Sequence, residues 1–154
     1  MDITTVAACS AIICAIASGE GLPRRPACAL DAGGGVVVNT SSVCGLKGLA
    51  GVPPYTFAKA GLVGLTRSVA LEYADRGVRV NAVAPSSVVT PLIEEYIAGS
   101  ADPDGLRAGM ASFNPMPGIV EVSDVAASVA FLASEDARFI TGITLPVDGG
   151  YTAS

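Results

Sequence analysis

There is no histidine in these 154 residues, no tryptophan, and only two lysines, Lys47 and Lys59. Without histidine, neither a Ser-His or Cys-His nucleophilic relay nor the common Cys/His zinc sites can be assembled. The four cysteines, Cys9, Cys14, Cys28 and Cys44, form no Cys-x-x-Cys pair. They read as inert thiols in a reducing, cytoplasmic compartment, and no metal site is expected. Charge is sparse as well, with 9 basic residues against 14 acidic ones and a net charge of −5. That balance offers no broad positive surface to neutralise phosphates, which argues against nucleic acid as a partner and leaves room only for a local basic pocket. The one sustained apolar stretch, Ile3 to Ala17, is too short to span a bilayer. Asp2 stands where a signal peptide would carry its basic flank. A buried helix is expected there, and no membrane.

What remains is 51% apolar residues with many Gly, Ala and Val, the composition of a tightly packed α/β protein with an aliphatic core. Residues 1–154 are expected to form a single domain. After the first helix, Ser18 to Gly35 turns to glycine, proline and the pair Arg24-Arg25, and reads as a surface loop with solvated charges. Val36-Val37-Val38 is a short β-branched run of the kind found in a parallel sheet covered on both faces. Pro53 and Pro54 pre-set the first turn of a helix running to about Ala74, and the Asp75-Arg76-Gly77 turn closes it. Val78 to Ala84 is the next strand, stopped by Pro85, so strand, helix and strand form a βαβ crossover. Thr90 to Pro117 holds short helical patches broken by Gly and Pro, an irregular excursion of the type that covers binding sites. Ser123 is placed to cap a helix through Ala133, with Val125, Val129 and Leu132 inward. Ile143 to Val147 gives the last strand.

The residues with the most chemistry are Tyr55 and Lys59, four apart in the first turns of the Pro53 helix. Positions i and i+4 share a helix face, so the phenol and the ammonium can approach one point. A nearby cation favours the phenolate form of a tyrosine, which lets Tyr55 exchange a proton with an alcohol or a carbonyl. Ser42 lies just past the Val36 strand, where open α/β sheets bind their ligands, and its hydroxyl is placed to orient the same substrate oxygen. The alternative is a surface tyrosine packed on a lysine stem.

The combination of motifs resembles a known family. From Asp2 to the C-terminus the chain is similar to the C-terminal part of a short-chain dehydrogenase/reductase. The motifs are Val37-Val38-Asn39-Thr40-Ser41-Ser42, Tyr55-Thr56-Phe57-Ala58-Lys59, Val80-Asn81-Ala82-Val83-Ala84-Pro85, Thr90-Pro91 and Val147-Asp148-Gly149-Gly150, in the family's order and approximate spacing. The resemblance implies a partial Rossmann-like, doubly wound parallel sheet lacking the N-terminal strands. It implies that Tyr55 is the general acid/base, that Ser42 holds the substrate carbonyl or alcohol, and that Lys59 favours the phenolate and bonds the nicotinamide ribose. Pro85, Val88 and Thr90 then map onto the cofactor-contacting segment, and the cofactor is NAD or NADP.

This chain also departs from the family pattern. The Gly-rich turn after the family's first strand, its ribose selector and its Asn-Asn-Ala-Gly stretch have no counterpart, so the choice between NAD and NADP is not legible. Asp2 stands where the family has a catalytic Asn, and Ser86 where it has a glycine, which implies a different backbone conformation. The loop before Gly35 is longer than its family counterpart. Without the first strands, the Val36 strand becomes an exposed apolar edge. The expected function is NAD(P)-dependent interconversion of a small-molecule secondary alcohol and a carbonyl by a truncated form. The alternative is a non-catalytic fragment or pseudoenzyme acting only through subunit association. Either way a homo-oligomer formed through the 3–17 and 55–74 helices is expected.

Overall fold

A computed structural model describes Ile12–Ile13 and residues 34–153. Four strands make the main sheet: β1 (Ile12–Ile13), β2 (Gly35–Thr40), β3 (Val78–Pro85) and β6 (Thr144–Val147), in the order β1-β2-β3-β6. Two further strands, β4 (Val88–Val89) and β5 (Val120–Glu121), pair in parallel with each other. Strand β2 runs parallel to β3 over its whole length, from Gly35 opposite Val78 to Thr40 opposite Val83, and β3 runs parallel to β6. A 21-residue helix, α1 (Pro53–Tyr73), carries the chain from β2 to β3, with both prolines in its first turn. It ends in a 3-10 turn closed by Gly77, whose φ of 71° is the left-handed conformation that favours glycine.

The three valines of β2 face two different cores. Val37 packs with Val78, Val80 and Ala70 of α1 on one side. Val38 packs with Val83 and Leu132 on the other, where Val125 and Val129 of helix α4 (Val122–Ala133) close over it. Both faces of the sheet are therefore covered, which is why the run is continuously apolar rather than alternating. Val38, Val83 and Leu132 are fully buried, and each stabilises the fold by about 1.5–3 kcal/mol. Arg79 on β3 donates to the carbonyls of Leu132 (2.7 Å) and Ser134 (3.0 Å), satisfying carbonyls at the end of α4 that have no partner within the helix.

The excursion between β3 and α4 contains two helices, α2 (Pro91–Ala98) and α3 (Pro103–Ala111), joined by an ion pair of Arg107 with both carboxylate oxygens of Glu94. The β4–β5 pair closes its base. No helix among the described residues is long and apolar enough to cross a membrane.

The structure differs from the sequence expectations at β1, at the edge of β2 and at the start of α4. Within the expected 3–17 helix, Ile12 and Ile13 form a strand antiparallel to β2, opposite Asn39 and Val38, which makes the sheet mixed rather than wholly parallel. β-branched residues suit a strand, and the edge of β2 offers unpaired backbone groups. The edge is therefore covered in part. The rest of that segment, the loop up to residue 33, Asp2, Cys9, Cys14 and Cys28 lie outside the described residues; Cys44 is a buried free thiol. Finally, α4 begins two residues earlier than a Ser123 cap implies. Glu121 and Asp124 form its capping box in place of a Ser123 cap, since an acidic pair satisfies two orphan backbone donors reciprocally where serine satisfies one.

Candidate active site

The site lies where β2 and β3 end. Ser42 follows β2 and caps a 3-10 turn, Val43–Gly45, its Oγ accepting from the Cys44 N–H at 3.3 Å. The hydroxyl still carries its own hydrogen, and the residue is buried. The first turns of α1 carry Tyr55, which is 40% exposed, and Lys59, which is only 7% exposed. A buried ammonium needs partners, and Lys59 Nζ donates to the Thr40 carbonyl at 2.9 Å. The same Nζ sits 5.6 Å from the centroid of the Tyr55 ring, within the range of a cation–π contact. Lys59 thus stands against both the phenol and the end of the strand that leads to Ser42.

Three neighbouring ties fix this geometry. Asn39 Nδ2 donates to Thr66 Oγ1 at 2.9 Å, and Thr66 Oγ1 donates to the Leu62 carbonyl at 2.8 Å. Ser41 Oγ donates to the Lys59 carbonyl at 2.9 Å. Residues 39, 40 and 41 are therefore each bound to α1. Gly45 completes the seam, because a Cβ there would fall 2.7 Å from the backbone carbon and oxygen of Lys59.

Beside Ser42 opens a cavity of about 190 Å³. Its floor is Ser42 to Cys44, the end of β3 contributes Ser86 and Ser87, and Lys47, Leu49, Phe113 and Tyr151 wall it. Tyr151 is set by the Asp148 turn. Asp148 accepts from the Gly150 N–H at 2.9 Å, and from the Thr152 N–H and hydroxyl at 2.9 and 2.6 Å. Burial alone would raise the Asp148 carboxyl, but the hydrogen bonds from Thr152 and Gly150 hold it below the usual carboxylate range.

The sequence-selected residues divide into two groups. Tyr55 and Lys59 meet but do not line the cavity, which Ser42 does line. Pro85, buried at the end of β3, half-buried Val88 in β4 and Thr90 do not line that cavity. Thr90 caps α2, its Oγ1 accepting from the Ile93 N–H at 3.3 Å. Ser86, like every described non-glycine residue, lacks the positive φ open to glycine. Its hydroxyl instead donates to Asn114 Oδ1 at 2.9 Å. Sequence reasoning did not single out Lys47, Phe113 or Tyr151. The only pointer was that Phe113 falls in the excursion and Tyr151 follows Asp148-Gly149-Gly150.

The chain is similar to known oxidoreductases. A family model described as enoyl-(acyl carrier protein) reductase matches residues 22–152. Cyclohexanol dehydrogenase of Acinetobacter sp. (strain SE19) is 44% identical over 124 residues, covering 80% of this chain and 46% of that protein. Among solved structures, ElxO with NADP bound superposes with a TM-score of 0.76 at 35% identity, covering 83% of this chain and 50% of the other. 4-Hydroxyisoleucine dehydrogenase complexed with NADH gives 0.70 at 33% identity, covering 78% and 48%. The chain spans about half the length of the relatives it matches. On the extent of the model match and the similarity to these oxidoreductases, the chain belongs to the short-chain dehydrogenase/reductase family.

Proposed function

We propose that the chain carries the catalytic portion of an NAD- or NADP-dependent oxidoreductase that interconverts a secondary alcohol and a carbonyl compound in the cytoplasm. The observation that carries this reading is the buried Lys59 ammonium, held between the Tyr55 ring and the Thr40 carbonyl at the strand end leading to Ser42. Relatives that oxidise cyclohexanol or hold NADH or NADP support it. The donor set fits the nicotinamide half of such a cofactor, since a phenol and an ammonium at the carboxyl edge of the sheet are suited to ribose hydroxyls. NAD or NADP, when bound, accepts or supplies the hydride. Pro85, Val88 and Thr90 would lie along the cofactor's nicotinamide and pyrophosphate side.

In this mechanism Ser42 donates a hydrogen bond to the substrate oxygen and holds it toward Tyr55. The Tyr55 hydroxyl gives its proton to a carbonyl oxygen on reduction, or takes one from the alcohol on oxidation. Lys59 stabilises the negative charge left on the phenol oxygen. With cyclohexanone and NADH or NADPH as probes, Tyr55→Phe is expected to abolish reduction while cofactor binding, followed by cofactor fluorescence, is retained. Reduction that survives this change would remove Tyr55 from its role.

A second reading is favoured by the outer face of α1. Phe57, Leu65 and Leu71 are 81%, 50% and 84% exposed, and a Cβ added at Gly61 or Gly64 would meet nothing within 4 Å. Such a stripe suits a second copy of this chain, and self-association without turnover is the function left if neither cofactor binds. A monomer by analytical ultracentrifugation excludes this reading.

A further inference from the structure

Ser86 stands where the resemblance gives a glycine, and its side chain is engaged. It directly follows β3, its backbone N–H donates to the Val147 carbonyl at 3.2 Å, and it lines the cavity beside Ser42. Its Oγ reaches Asn114 Oδ1 at 2.9 Å, 28 residues further along the chain. Asn114 lies on the return arm of the excursion and is only 8% exposed. A buried amide needs its hydrogen bonds made. Asn114 Nδ2 donates to the Gly118 carbonyl at 3.4 Å, and among the described residues Ser86 is the donor that satisfies Oδ1.

The same arm is held from the C-terminal side. The Met116 N–H donates to the Gly149 carbonyl at 2.9 Å. A Cβ on Gly149 would stand 3.0 Å from the Asn114 Cβ and 3.2 Å from the Met116 Cβ, so arm and turn pack without a gap. Phe113, the next residue to Asn114, walls the cavity, and its ring meets Tyr151 edge-on with centroids 5.9 Å apart and planes at 62°. Phe113 is 45% exposed, so burial alone does not fix it. Its place follows from the anchored residue beside it. A glycine at position 86 offers no hydroxyl, and Asn114 Oδ1 would then be buried without a partner. That state favours turning the amide out to water, and Phe113 would leave the cavity with it.

We propose that Ser86 is a positioning residue: its hydroxyl, acting through Asn114, holds Phe113 as a wall of the cavity beside Ser42. Its part in the reaction rests on the oxidoreductase reading, but the position of the wall can be read without turnover. The full chain, labelled with carbon-13 on its Phe and Tyr rings, is examined by NMR for nuclear Overhauser contacts between Phe113 and Tyr151. The contacts are expected in the parent and in Ser86→Thr, which keeps the hydroxyl, and are expected to be lost in Ser86→Ala and in Asn114→Ala. One hydrogen bond fewer lowers the population of the closed wall about fivefold, so Ser86→Ala should bind cyclohexanone about fivefold more weakly, followed at the Phe113 amide. The Ser86→Ala, Asn114→Ala double variant should bind no more weakly than Asn114→Ala alone, because the two residues act in series. A change that only loosened the fold would lower the urea midpoint and leave the ring contacts of folded molecules in place. Ring contacts that persist in Ser86→Ala or vanish in Ser86→Thr, additive losses in the double variant, or no cyclohexanone shift at Phe113 in the parent overturns the proposal. Failure of the Tyr55 assay leaves the ring contacts readable, and loss of this role for Ser86 leaves the Tyr55 reading standing.

Discussion

Gly45→Ala tests the seam that holds the site together. The added methyl would stand 2.7 Å from both the carbon and the oxygen of the Lys59 carbonyl, and 2.8 Å from Ser41 Oγ. Ordinary contact begins near 3.4 Å, so the turn and the helix must separate by about 0.7 Å. Backbone cannot rotate out of the way as a side-chain tip can. Overpacking of this kind costs about 1–3 kcal/mol. The same movement strains the 2.9 Å bond from Ser41 to the Lys59 carbonyl, adding about 1 kcal/mol if it breaks. Together these give about 2–4 kcal/mol, which lowers a urea midpoint by about 1–2 M at a typical slope for a small domain. Far-UV circular dichroism during urea unfolding reads this directly. Gly109→Ala in the exposed part of α3, where a Cβ meets nothing within 4 Å, is the comparison and should stabilise by about 0.5–1 kcal/mol. A Gly45→Ala midpoint equal to the parent's would refute the close approach of turn and helix.

Thr66→Val keeps the shape of a fully buried side chain but strands Asn39 Nδ2 without its 2.9 Å partner. It should cost about 1–3 kcal/mol in urea unfolding, and a Thr66→Val, Asn39→Leu double variant should recover part of that loss. Asp148 makes stability depend on acidity in a definite direction. Its folded-state value lies below the ordinary carboxylate one, so its contribution is complete above about pH 4 and is lost as pH falls through the lowered value. Unfolding measured from neutral to acidic pH should show a fall below about pH 4 that is shallower in Asp148→Asn; identical slopes would remove Asp148 as its source.

The parts of the fold legible in the sequence are those set by local chemistry. Val36 to Val38 had to be a strand covered on both faces, because three adjacent β-branched residues cannot all find burial on one side. Pro53 and Pro54 marked the start of α1, and a spacing of four brought Tyr55 and Lys59 together. The elements that escaped depend on distant partners. Ile12–Ile13 lies in a uniformly apolar stretch with no period to separate strand from helix. The β4–β5 pair joins Val88 to Val120, and neither two-residue strand has a signal of its own. The cavity unites Lys47, Phe113 and Tyr151 from three separate segments, so its charge and its aromatic wall emerge only when the excursion and the C-terminal turn fold back beside β2.

The attachments of β2 separate two questions that the sequence left joined. On one side it has a full parallel register with β3, and from residues 39–41 it has three side-chain or carbonyl ties to α1. On the other side, β1 pairs only with Val38 and Asn39. Among the described residues, the contacts that orient Ser42 and Lys59 come from the α1 side. Holding a dinucleotide, by contrast, ordinarily draws on a Gly-rich turn between a strand and a helix, and none is found among the described residues. A variant in the α1 seam should therefore disturb the positions of Ser42, Tyr55 and Lys59 together.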